Sequence, residues 1–325
     1  MKAIGLSKYG GPDVLHPVEL PDPHATTGEV RVHVRAAALN PVDVLLRNGT
    51  LAGWYAGQEP PFVPGMDISG TIDEIGPEVE PAFGLEIGQA VVGVIDSTGS
   101  HGGYSEYVTL PAESVTATPK NTDWAHAASF LMNALAARNA LDLSESPAGG
   151  AVLITGAAGA LGAYAVALAH ADGYRVIALA SAADEQRLRA LGADEFVARG
   201  EDAADRVRRL VPEGVDAVID AALLFDQIAP ALRNNGKFVD LRARDGELGR
   251  GIEIVHSNVR KRVADQAAIR RLREQVESGV LWTSVAQTFP ASEATEAHRR
   301  LDEGGLRGRI ILLFDECHSE LSDQS

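Results

Sequence analysis

The segment 151–173 constrains the fold of this chain more than any other stretch. It consists of the apolar run AVLIT, the loop GAAGALG and an apolar, alanine-rich stretch that ends before Gly173. This order predicts a buried strand, a tight turn and a helix that packs back on the strand. Such a turn brings backbone N–H groups and the positive end of a helix together, where a pyrophosphate can bind.

Small residues are needed in this loop for three physical reasons. The turn is tight, its amides must reach the phosphates, and the helix must approach the strand closely. Ala157 replaces the first glycine of the G-x-G-x-x-G fingerprint, which leaves A-x-G-x-x-G. The alternative interpretation is a structural turn that binds nothing. The residues predicted to contact a dinucleotide here are Gly156, Ala157, Ala158, Gly159, Ala160 and Leu161.

Strand and helix patterns alternate after this loop, as in a parallel, doubly wound α/β sheet. The predicted strands lie at 175–180, 195–197, 215–220 and 237–241, and the predicted helices at 161–171, 184–191 and 202–210. An alanine-rich helix is also predicted at 124–143. Residues 1 to about 120 instead show short strand patterns without long helices, which indicate a small, partly open barrel.

The end of the second strand of this pattern bears on the choice between NAD and NADP. NAD enzymes typically place an acidic residue there to bind the ribose hydroxyls, whereas this strand ends in LAS at 179–181. A 2′-phosphate could bind instead, with Ser181 and Arg199 as predicted contacts. Asp184 and Glu185 follow closely and would repel a phosphate. The sequence favours NADPH over NADH.

Charge and composition narrow the classes of partner. The chain has 29 Lys and Arg against 45 Asp and Glu, a formal net charge of −16, so its surface should repel nucleic acid and anionic lipid. We expect neither a membrane span nor a secretory signal. The single cysteine, Cys317, excludes an intrachain disulfide and a multi-thiolate metal site. The cytoplasm is the expected location.

Short motifs follow one another along nearly the whole chain. They are ALNPVD at 38–43, RNG at 47–49, VPGMDISG at 63–70, GGYSEYV at 102–108, the glycine loop, LGAD at 191–194, FP at 289–290, EAH at 296–298 and RGRI at 307–310. In this order and spacing they resemble the medium-chain dehydrogenase/reductase superfamily, specifically its zinc-free quinone oxidoreductase (zeta-crystallin-like) branch. The resemblance implies an α/β fold with a β-rich, GroES-like catalytic domain at 1–122 and 266–325. It also implies a Rossmann nucleotide-binding domain at 123–265 and an active site in the cleft between the two domains.

The resemblance also bears on metal and acceptor. Zinc-dependent relatives place a Cys at the position of Asn40 and a His at that of Met66, and carry a four-cysteine lobe that this sequence lacks. A zinc site needs about three or four N, S or O ligands, and neither Asn nor Met serves as one. We therefore expect no metal, and an electron-poor small molecule, a quinone or an activated alkene or carbonyl, as the acceptor.

Roles for single residues follow from the resemblance in the same way. Asn40 is expected beside the nicotinamide ribose, with Ala221 and Arg309 also near the cofactor. Tyr55 could donate a hydrogen bond to a developing oxyanion, or it could serve only in core or lid packing. Asp43 either orients the Asn40 loop or acts as a capping carboxylate.

Two departures from the family pattern keep further functions open. Relatives commonly have Thr where this chain has Ala136, and a Gly pair where it has AALL at 221–224. NADPH-dependent quinone or alkene reduction is the leading hypothesis. The alternatives are an enoyl reductase acting on a polyketide-like intermediate and a non-catalytic dinucleotide-binding protein. Relatives pair the edge strands of two Rossmann domains, so the resemblance also implies a homodimer joined at 252–255.

Overall fold

The structure is a computed structural model that describes residues 1–96, 101–242 and 246–314. Cys317 lies outside these residues. The chain divides into two compact units: unit 1 is Met1–Met132 with Val263–Ser325, and unit 2 is Asn133–Arg262.

The helices and strands follow one another in three stretches of the chain. Before residue 133 begin β1 (Lys2–Gly5), β2 (His16–Glu19), β3 (Glu29–Ala38), α1 (Pro41–Arg47), β4 (Asp67–Ile75), β5 (Ala90–Val94), β6 (Tyr107–Pro111), β7 (Val115–Ala117), α2 (Trp124–Ala128) and α3 (Leu131–Ser144). Next come β8 (Ala151–Thr155), α4 (Ala160–Ala171), β9 (Arg175–Ala180), α5 (Glu185–Ala190), β10 (Glu195–Ala198), α6 (Ala203–Leu210), β11 (Val215–Asp220), β12 (Leu232–Asp240) and β13 (Glu253–His256). The last stretch contains α7 (Gln266–Glu277), β14 (Val285–Pro290), α8 (Ala294–Glu303) and β15 (Arg309–Leu313).

Unit 1 is built on an open sheet with the strand order β14-β15-β3-β4-β5-β7, in which β6 also pairs with β3. β3 alternates as its sequence predicts, because Val30, Val32 and Val34 are fully buried while Arg31 and His33 between them are half-buried. Among the described residues the strands do not close into a barrel. The predicted β-rich, GroES-like unit is therefore confirmed as an open structure.

Unit 2 contains six parallel strands in the order β10-β9-β8-β11-β12-β13. All five residues of β8 are buried, as expected for a central strand covered on both faces. The predicted doubly wound sheet is confirmed. The strand order reverses between β8 and β11, and in such sheets ligands bind beyond the carboxyl ends of the strands at this switch point.

The single helix predicted at 124–143 is wrong. The structure has two helices, α2 and α3, separated at Ser129. The Ser129 hydroxyl donates to the carbonyl of His126 (2.7 Å) and accepts the N–H of Ser284 (3.1 Å). A serine that bonds back to the preceding turn competes with helix continuation, and the alanine-rich composition concealed this.

Within the described part of the chain, no helix is both long enough and apolar enough to cross a membrane.

Candidate functional site

The glycine loop lies at the switch point of the unit 2 sheet. β8 ends at Thr155, and Gly159 is the N-cap residue of α4, with φ −71° and ψ 168°. Gly156 turns the chain with a φ of 58°, and its carbonyl accepts the Gly159 N–H at 2.9 Å. The first amides of a helix have no partner inside the helix. α4 therefore presents N–H groups beyond the end of β8.

Two of the loop glycines differ in what surrounds them. A Cβ on Gly162 would lie 2.3 Å from the carbonyl oxygen of Gly156 and 2.8 Å from Cα of Ala157, so α4 packs on the turn too closely for any side chain. A Cβ on Gly159 would meet only the Gly156 oxygen, at 3.3 Å. The space beside Gly159 is therefore open to a ligand.

Ala157 replaces the first fingerprint glycine without obstructing the loop. The residue is fully buried, and its N–H donates to the Leu179 carbonyl at 3.1 Å. Its methyl group therefore lies inside unit 2 and leaves the open side of the turn free.

A buried hydrogen bond joins the loops after β8 and β11. The Thr155 hydroxyl donates to Oδ1 of Asp220 at 2.6 Å and accepts the N–H of Ala222 at 2.9 Å. Ala221 begins the second loop, and a Cβ on Gly156 would lie 3.2 Å from its carbonyl carbon. The structure thus brings Ala221 next to the glycine loop.

Asp220 also shapes the stretch that replaces the family's glycine pair. Its carboxylate accepts the N–H groups of Leu224 (3.0 Å) and Phe225 (2.8 Å). Leu223 has a φ of 58°, a conformation that glycine adopts more easily, and its side chain is 46% exposed. This stretch is therefore held by hydrogen bonds in a shape that glycine would favour.

Ser181 and Arg199 are neighbours at the ends of β9 and β10. Ala180 pairs with Ala198 across the two strands, and the Arg199 N–H donates to the Ala180 carbonyl at 2.7 Å. Arg199 is exposed and Ser181 half-buried. A residue with a hydroxyl and a residue with a cationic side chain thus stand at adjacent strand ends, where the sequence lacks a carboxylate.

The other charged groups near this strand end have partners of their own. Arg187 donates from Nη1 to the carbonyl of Ala158 in the glycine loop (3.2 Å). Glu185 accepts from Nε of Arg189 at 2.9 Å, and Asp184 is 4% exposed. Pairing of Glu185 with Arg189 partly offsets the repulsion that this carboxylate would exert on a phosphate.

In unit 1, Asn40 stands at the start of α1 and is held on two sides. Its backbone N–H donates to Oδ2 of Asp43 at 2.8 Å, and its side-chain amide donates to Oδ2 of Asp67 at 3.3 Å. Asn40 is 4% exposed, and both carboxylates are almost fully buried. Asp43 therefore orients the Asn40 loop and caps the helix at the same time, so the two interpretations of this residue are one arrangement.

Asp67 links Asn40 to Arg309. It accepts from Nη2 of Arg309 at 3.3 Å and from the backbone N–H of Met132 at 2.8 Å. Arg309 also donates to the carbonyl of Leu39, 2.7 Å from Nη2. Nη1 of Arg309 is buried and, within the described ranges, has no hydrogen-bond partner.

A second line of polar side chains leads from Asp43 through unit 1. Its Oδ2 lies 3.2 Å from the hydroxyl of Tyr104, which lies 3.3 Å from Nε2 of His298. Nδ1 of His298 lies 3.1 Å from Nη1 of Arg47, whose Nη2 donates to Asp302 at 2.9 Å. We call Arg47, His298, Tyr104 and Asp43 the buried relay; none is more than 4% exposed.

Burial shifts the ionisation of the relay. It raises the pKa of Asp43 to about 6, against the hydrogen bonds of Asn40, Gly65 and Tyr104, which lower it. The pKa of His298 is lowered to about 3, mainly by burial and also by Arg47. A group that titrates near neutral pH inside an apolar core is a mark of functional sites.

Tyr55 makes no hydrogen bond to this polar network within the described residues. It ends the 3-10 turn Ala52–Tyr55, and its ring stacks on Phe62 with centroids 4.5 Å apart. Phe62 stacks in turn on Tyr9 at 5.9 Å. Tyr55 is 2% exposed, yet its buried hydroxyl has no hydrogen-bond partner in the part of the chain that the structure describes.

Potential metal ligands are not clustered. Among the described residues no three His, Cys, Asp or Glu side chains come together as an ion would require. His33 stacks on Tyr107, and His126 bonds to Asp123 at 2.9 Å.

Asp67, Tyr104, His298 and Arg47 received no role from sequence reasoning. Each stands inside a quoted motif, but only Asp67 has apolar residues, Met66 and Ile68, on both sides. A polar side chain in such a stretch indicates a buried group that needs a partner. Which of these side chains contact one another could not be predicted from the sequence, because they are distant along the chain.

Comparison with known proteins places both parts of the chain. Residues 26–120 match the alcohol dehydrogenase GroES-like domain family, and residues 191–312 match the zinc-binding dehydrogenase family. Human quinone oxidoreductase is 27% identical, with 97% of this chain and 98% of that protein covered. The NADPH-dependent alkenal/one oxidoreductase of Arabidopsis thaliana is 29% identical over 96% of this chain and 79% of its own length.

Solved structures agree over the whole length. One named NAD-dependent alcohol dehydrogenase is 32% identical with a TM-score of 0.82, covering 97% of this chain and 100% of its own. A mycobacterial protein in complex with NADPH is 28% identical with a TM-score of 0.83, covering 97% and 100%. The CurK enoyl reductase is 25% identical with a TM-score of 0.85, covering 97% and 99%.

Proposed function

This chain belongs to the quinone oxidoreductase family of the medium-chain dehydrogenase/reductase superfamily, and we propose that it transfers a hydride from NADPH to a quinone or an activated alkene or carbonyl without a metal ion. It is an oxidoreductase of a pyridine-nucleotide-dependent family. The observation that carries the proposal is the close packing of α4 on the glycine loop at Gly162, because it leaves the first amides of α4 at the open end of β8.

The loop fits the pyrophosphate of a dinucleotide. The first turn of α4 has N–H groups that find no partner within the helix, and the helix dipole adds about half a positive charge. The space beside Gly159 admits a ligand to the backbone. Residues 156–161 would hold the pyrophosphate. NADPH, when bound, supplies the hydride, and this chain's residues bind the phosphates and orient the acceptor.

Ser181 and Arg199 support NADPH over NADH. A hydroxyl and an exposed guanidinium at neighbouring strand ends suit a 2′-phosphate. Relatives point to both cofactors, since one is named NADPH-dependent and another NAD-dependent. Titration of each cofactor, followed by nicotinamide fluorescence, should show NADPH binding at least about tenfold more tightly, a difference of about 1.4 kcal/mol. Equal affinities would refute the preference.

We propose that four residues contact the cofactor or the acceptor. Asn40 would lie beside the nicotinamide ribose, and Ala221 and Arg309 near the cofactor. Nη1 of Arg309, which has no partner among the described residues, supports this role, since a buried donor requires an acceptor atom. The Tyr55 hydroxyl is likewise buried without a partner in the described ranges, and burial raises the pKa of Tyr55. It therefore stays protonated at neutral pH and can donate to an oxygen that gains negative charge.

We propose that catalysis is independent of zinc. Asn40 and Met66 stand where zinc-dependent relatives have ligands, and Asp67 already accepts hydrogen bonds from Asn40, Arg309 and Met132. Asn40, Met66 and the already hydrogen-bonded Asp67 therefore do not suit a zinc site, which needs three or four N, S or O ligands. Turnover should survive prolonged chelation, with no zinc in the purified protein. Activity lost on chelation and restored by zinc would refute this part.

Acceptor assays separate the proposal from its alternatives. NADPH oxidation should be fastest with quinones or enones. Faster oxidation with an enoyl thioester would favour the enoyl reductase, which the similarity to CurK supports as the second candidate. Tight NADPH binding without turnover on any acceptor would favour the non-catalytic binding protein.

We also propose a homodimer formed by pairing of β13 with its counterpart in a second copy. β13 is an edge strand of the unit 2 sheet, and an edge strand carries unpaired backbone groups that can extend a sheet. Light scattering should give twice the mass of 34.3 kDa, and Ile254→Pro should reduce it to one chain because proline removes a backbone donor. A monomeric wild-type protein would refute the proposal.

A further inference from the structure

The buried relay has a single hydrogen-bond direction. A guanidinium can only donate, so Nδ1 of His298 accepts from Arg47, and Nε2 carries the proton of the neutral ring. Nε2–H then donates to the Tyr104 hydroxyl, and the Tyr104 O–H is left to donate to Asp43. Each member orients the donor of the next, from Arg47 towards Asp43.

Three donors meet at the Asp43 carboxylate. Oδ2 accepts the backbone N–H of Asn40 (2.8 Å) and the Tyr104 hydroxyl (3.2 Å), and Oδ1 accepts the backbone N–H of Gly65 (3.0 Å). Neither amide can act as an acceptor, and the relay directs the hydroxyl proton inwards. The ionised carboxylate accepts all three donors most strongly, because a hydrogen bond to a charged acceptor is stronger than one to a neutral carboxyl.

We propose that ionised Asp43 is a positioning residue that fixes the backbone at Asn40 and Gly65 for catalysis, and that Tyr104, oriented by His298 and Arg47, holds Asp43 in the ionised state. This inference rests on the proposed function, which assigns Asn40 to the nicotinamide side. Protonation of Asp43 would remove the negative charge that attracts all three donors and so weaken the anchor that Asn40 and Gly65 share.

The groups that face Asp43 come from several elements of unit 1. Tyr104 before β6 bonds to Asp43, and Tyr55 on the 3-10 turn and Arg309 on β15 interact with its charge. His298 on α8 and Arg47 on α1 are connected to it through Tyr104, and Asp67 on β4 through Asn40. Among them Tyr104 and Arg309 lower the pKa of Asp43, whereas burial raises it to about 6. Below this pH, kcat/KM should fall about tenfold per pH unit, as for loss of one ionised group.

The first variant is Tyr104→Phe, which removes the hydroxyl donor and keeps the ring. The acid limb of the kcat/KM profile should move upward by about one pH unit, because a hydrogen bond to a charged acceptor is worth about that much. Tyr107→Phe is the matched control, because Tyr107 stacks on His33 outside the relay. The acid limb of the kcat/KM profile of this variant should not move. A purely structural role of Tyr104 would lower activity at every pH without moving the limb.

A pair of His298 variants tests the direction of the relay if Tyr104→Phe fails to fold. His298→Gln can keep a donor near the Nε2 position, whereas His298→Asn can keep only an acceptor near Nδ1. His298→Asn should therefore move the limb upward, and His298→Gln much less. Equal shifts in both variants, or none, would overturn the proposal.

A readout without cofactor separates this inference from the proposed function. In the cofactor-free protein, the infrared C=O band of the protonated carboxyl, identified by its absence in Asp43→Asn, should appear as pH falls through about 6. Its midpoint should move upward in Tyr104→Phe. A protein that oxidises no NADPH would refute the proposed function while this midpoint still tests the relay. An Asp43 midpoint that Tyr104→Phe leaves unmoved would overturn the relay even in an active enzyme.

Discussion

The hydroxyl of Thr155 donates a 2.6 Å hydrogen bond to Oδ1 of Asp220, which joins the ends of β8 and β11 at the switch point of the parallel sheet. Thr155→Val preserves the shape of the side chain but leaves a buried carboxylate oxygen short of one donor. We expect a loss of about 1–3 kcal/mol in the free energy of unfolding, measured by urea denaturation. Thr118→Val is the control, because the Thr118 hydroxyl is buried without a partner in the described residues, and its loss should cost little.

Gly162 and Gly159 should respond differently to alanine. Gly162→Ala forces a Cβ to within 2.3 Å of the Gly156 oxygen, so the protein should be destabilised by about 1–3 kcal/mol. Gly159→Ala meets only the Gly156 oxygen at 3.3 Å and should unfold nearly as the wild type does. Its NADPH affinity should nevertheless fall about tenfold or more, since the methyl group enters the proposed phosphate space. Unchanged affinity in Gly159→Ala would argue against a pyrophosphate at this loop.

Arg199→Ala should weaken NADPH binding selectively. Loss of one charge-assisted contact to a 2′-phosphate is worth about 1.5–3 kcal/mol, or about ten- to a hundredfold in Kd. Arg175→Ala is a suitable control because Arg175 pairs with Glu195 at the opposite ends of β9 and β10. Fluorescence titration should show no change for NADH in either variant. An equal loss for both cofactors in Arg199→Ala would indicate a general effect on the site.

His298 makes the folded protein sensitive to acid. Its pKa falls from 6.5 in the unfolded chain to about 3 in the fold, so the unfolded chain takes up a proton first. This contribution to stability is complete above pH 6.5 and is lost as pH falls toward 3. The free energy of unfolding of the wild type should fall relative to His298→Gln by about 1.4 kcal/mol per pH unit below 6.5. A difference that does not vary with pH would contradict this.

Asp43 changes the free energy of unfolding in the opposite direction to His298 over the same pH range. Its pKa rises from 3.8 to about 6 in the fold, so the folded protein holds this proton more tightly than the unfolded chain. The resulting stability is complete below pH 3.8 and is lost as pH rises through about 6. In the wild type the Asp43 and His298 contributions should partly cancel. Denaturation of His298→Gln at several pH values should therefore expose the Asp43 contribution as an added gain in stability toward low pH.

The sequence predicted the parts of the fold that local patterns determine. The alternation of apolar strands and helices after residue 150 predicted the parallel sheet, and the bounds of β9 and β11 agree with those expected. The sequence did not predict the break at Ser129, because a serine within an alanine-rich stretch ends a helix only when its hydroxyl forms hydrogen bonds with backbone groups. Those partners depend on tertiary structure.

In the candidate site, too, local contacts could be predicted from the sequence and long-range contacts could not. Contacts in the glycine loop span a few residues and were expected from the loop's composition. The buried relay joins residues 61, 194 and 251 positions apart, and no periodicity or spacing connects them. Asp43 was expected to orient a loop or to cap a helix, but neither the Tyr104 contact nor the raised pKa could be deduced before the fold was known.

The pairing of β15 with β3 has a consequence for how the protein is made. Ile311 lies opposite Ala38, so the sheet of unit 1 lacks this strand until residues 309–313 have left the ribosome. Unit 2 is continuous in sequence and can fold during synthesis, since domains fold as units while the chain emerges. A nascent chain stalled before residue 309 should therefore resist protease across unit 2 and be cut within β3.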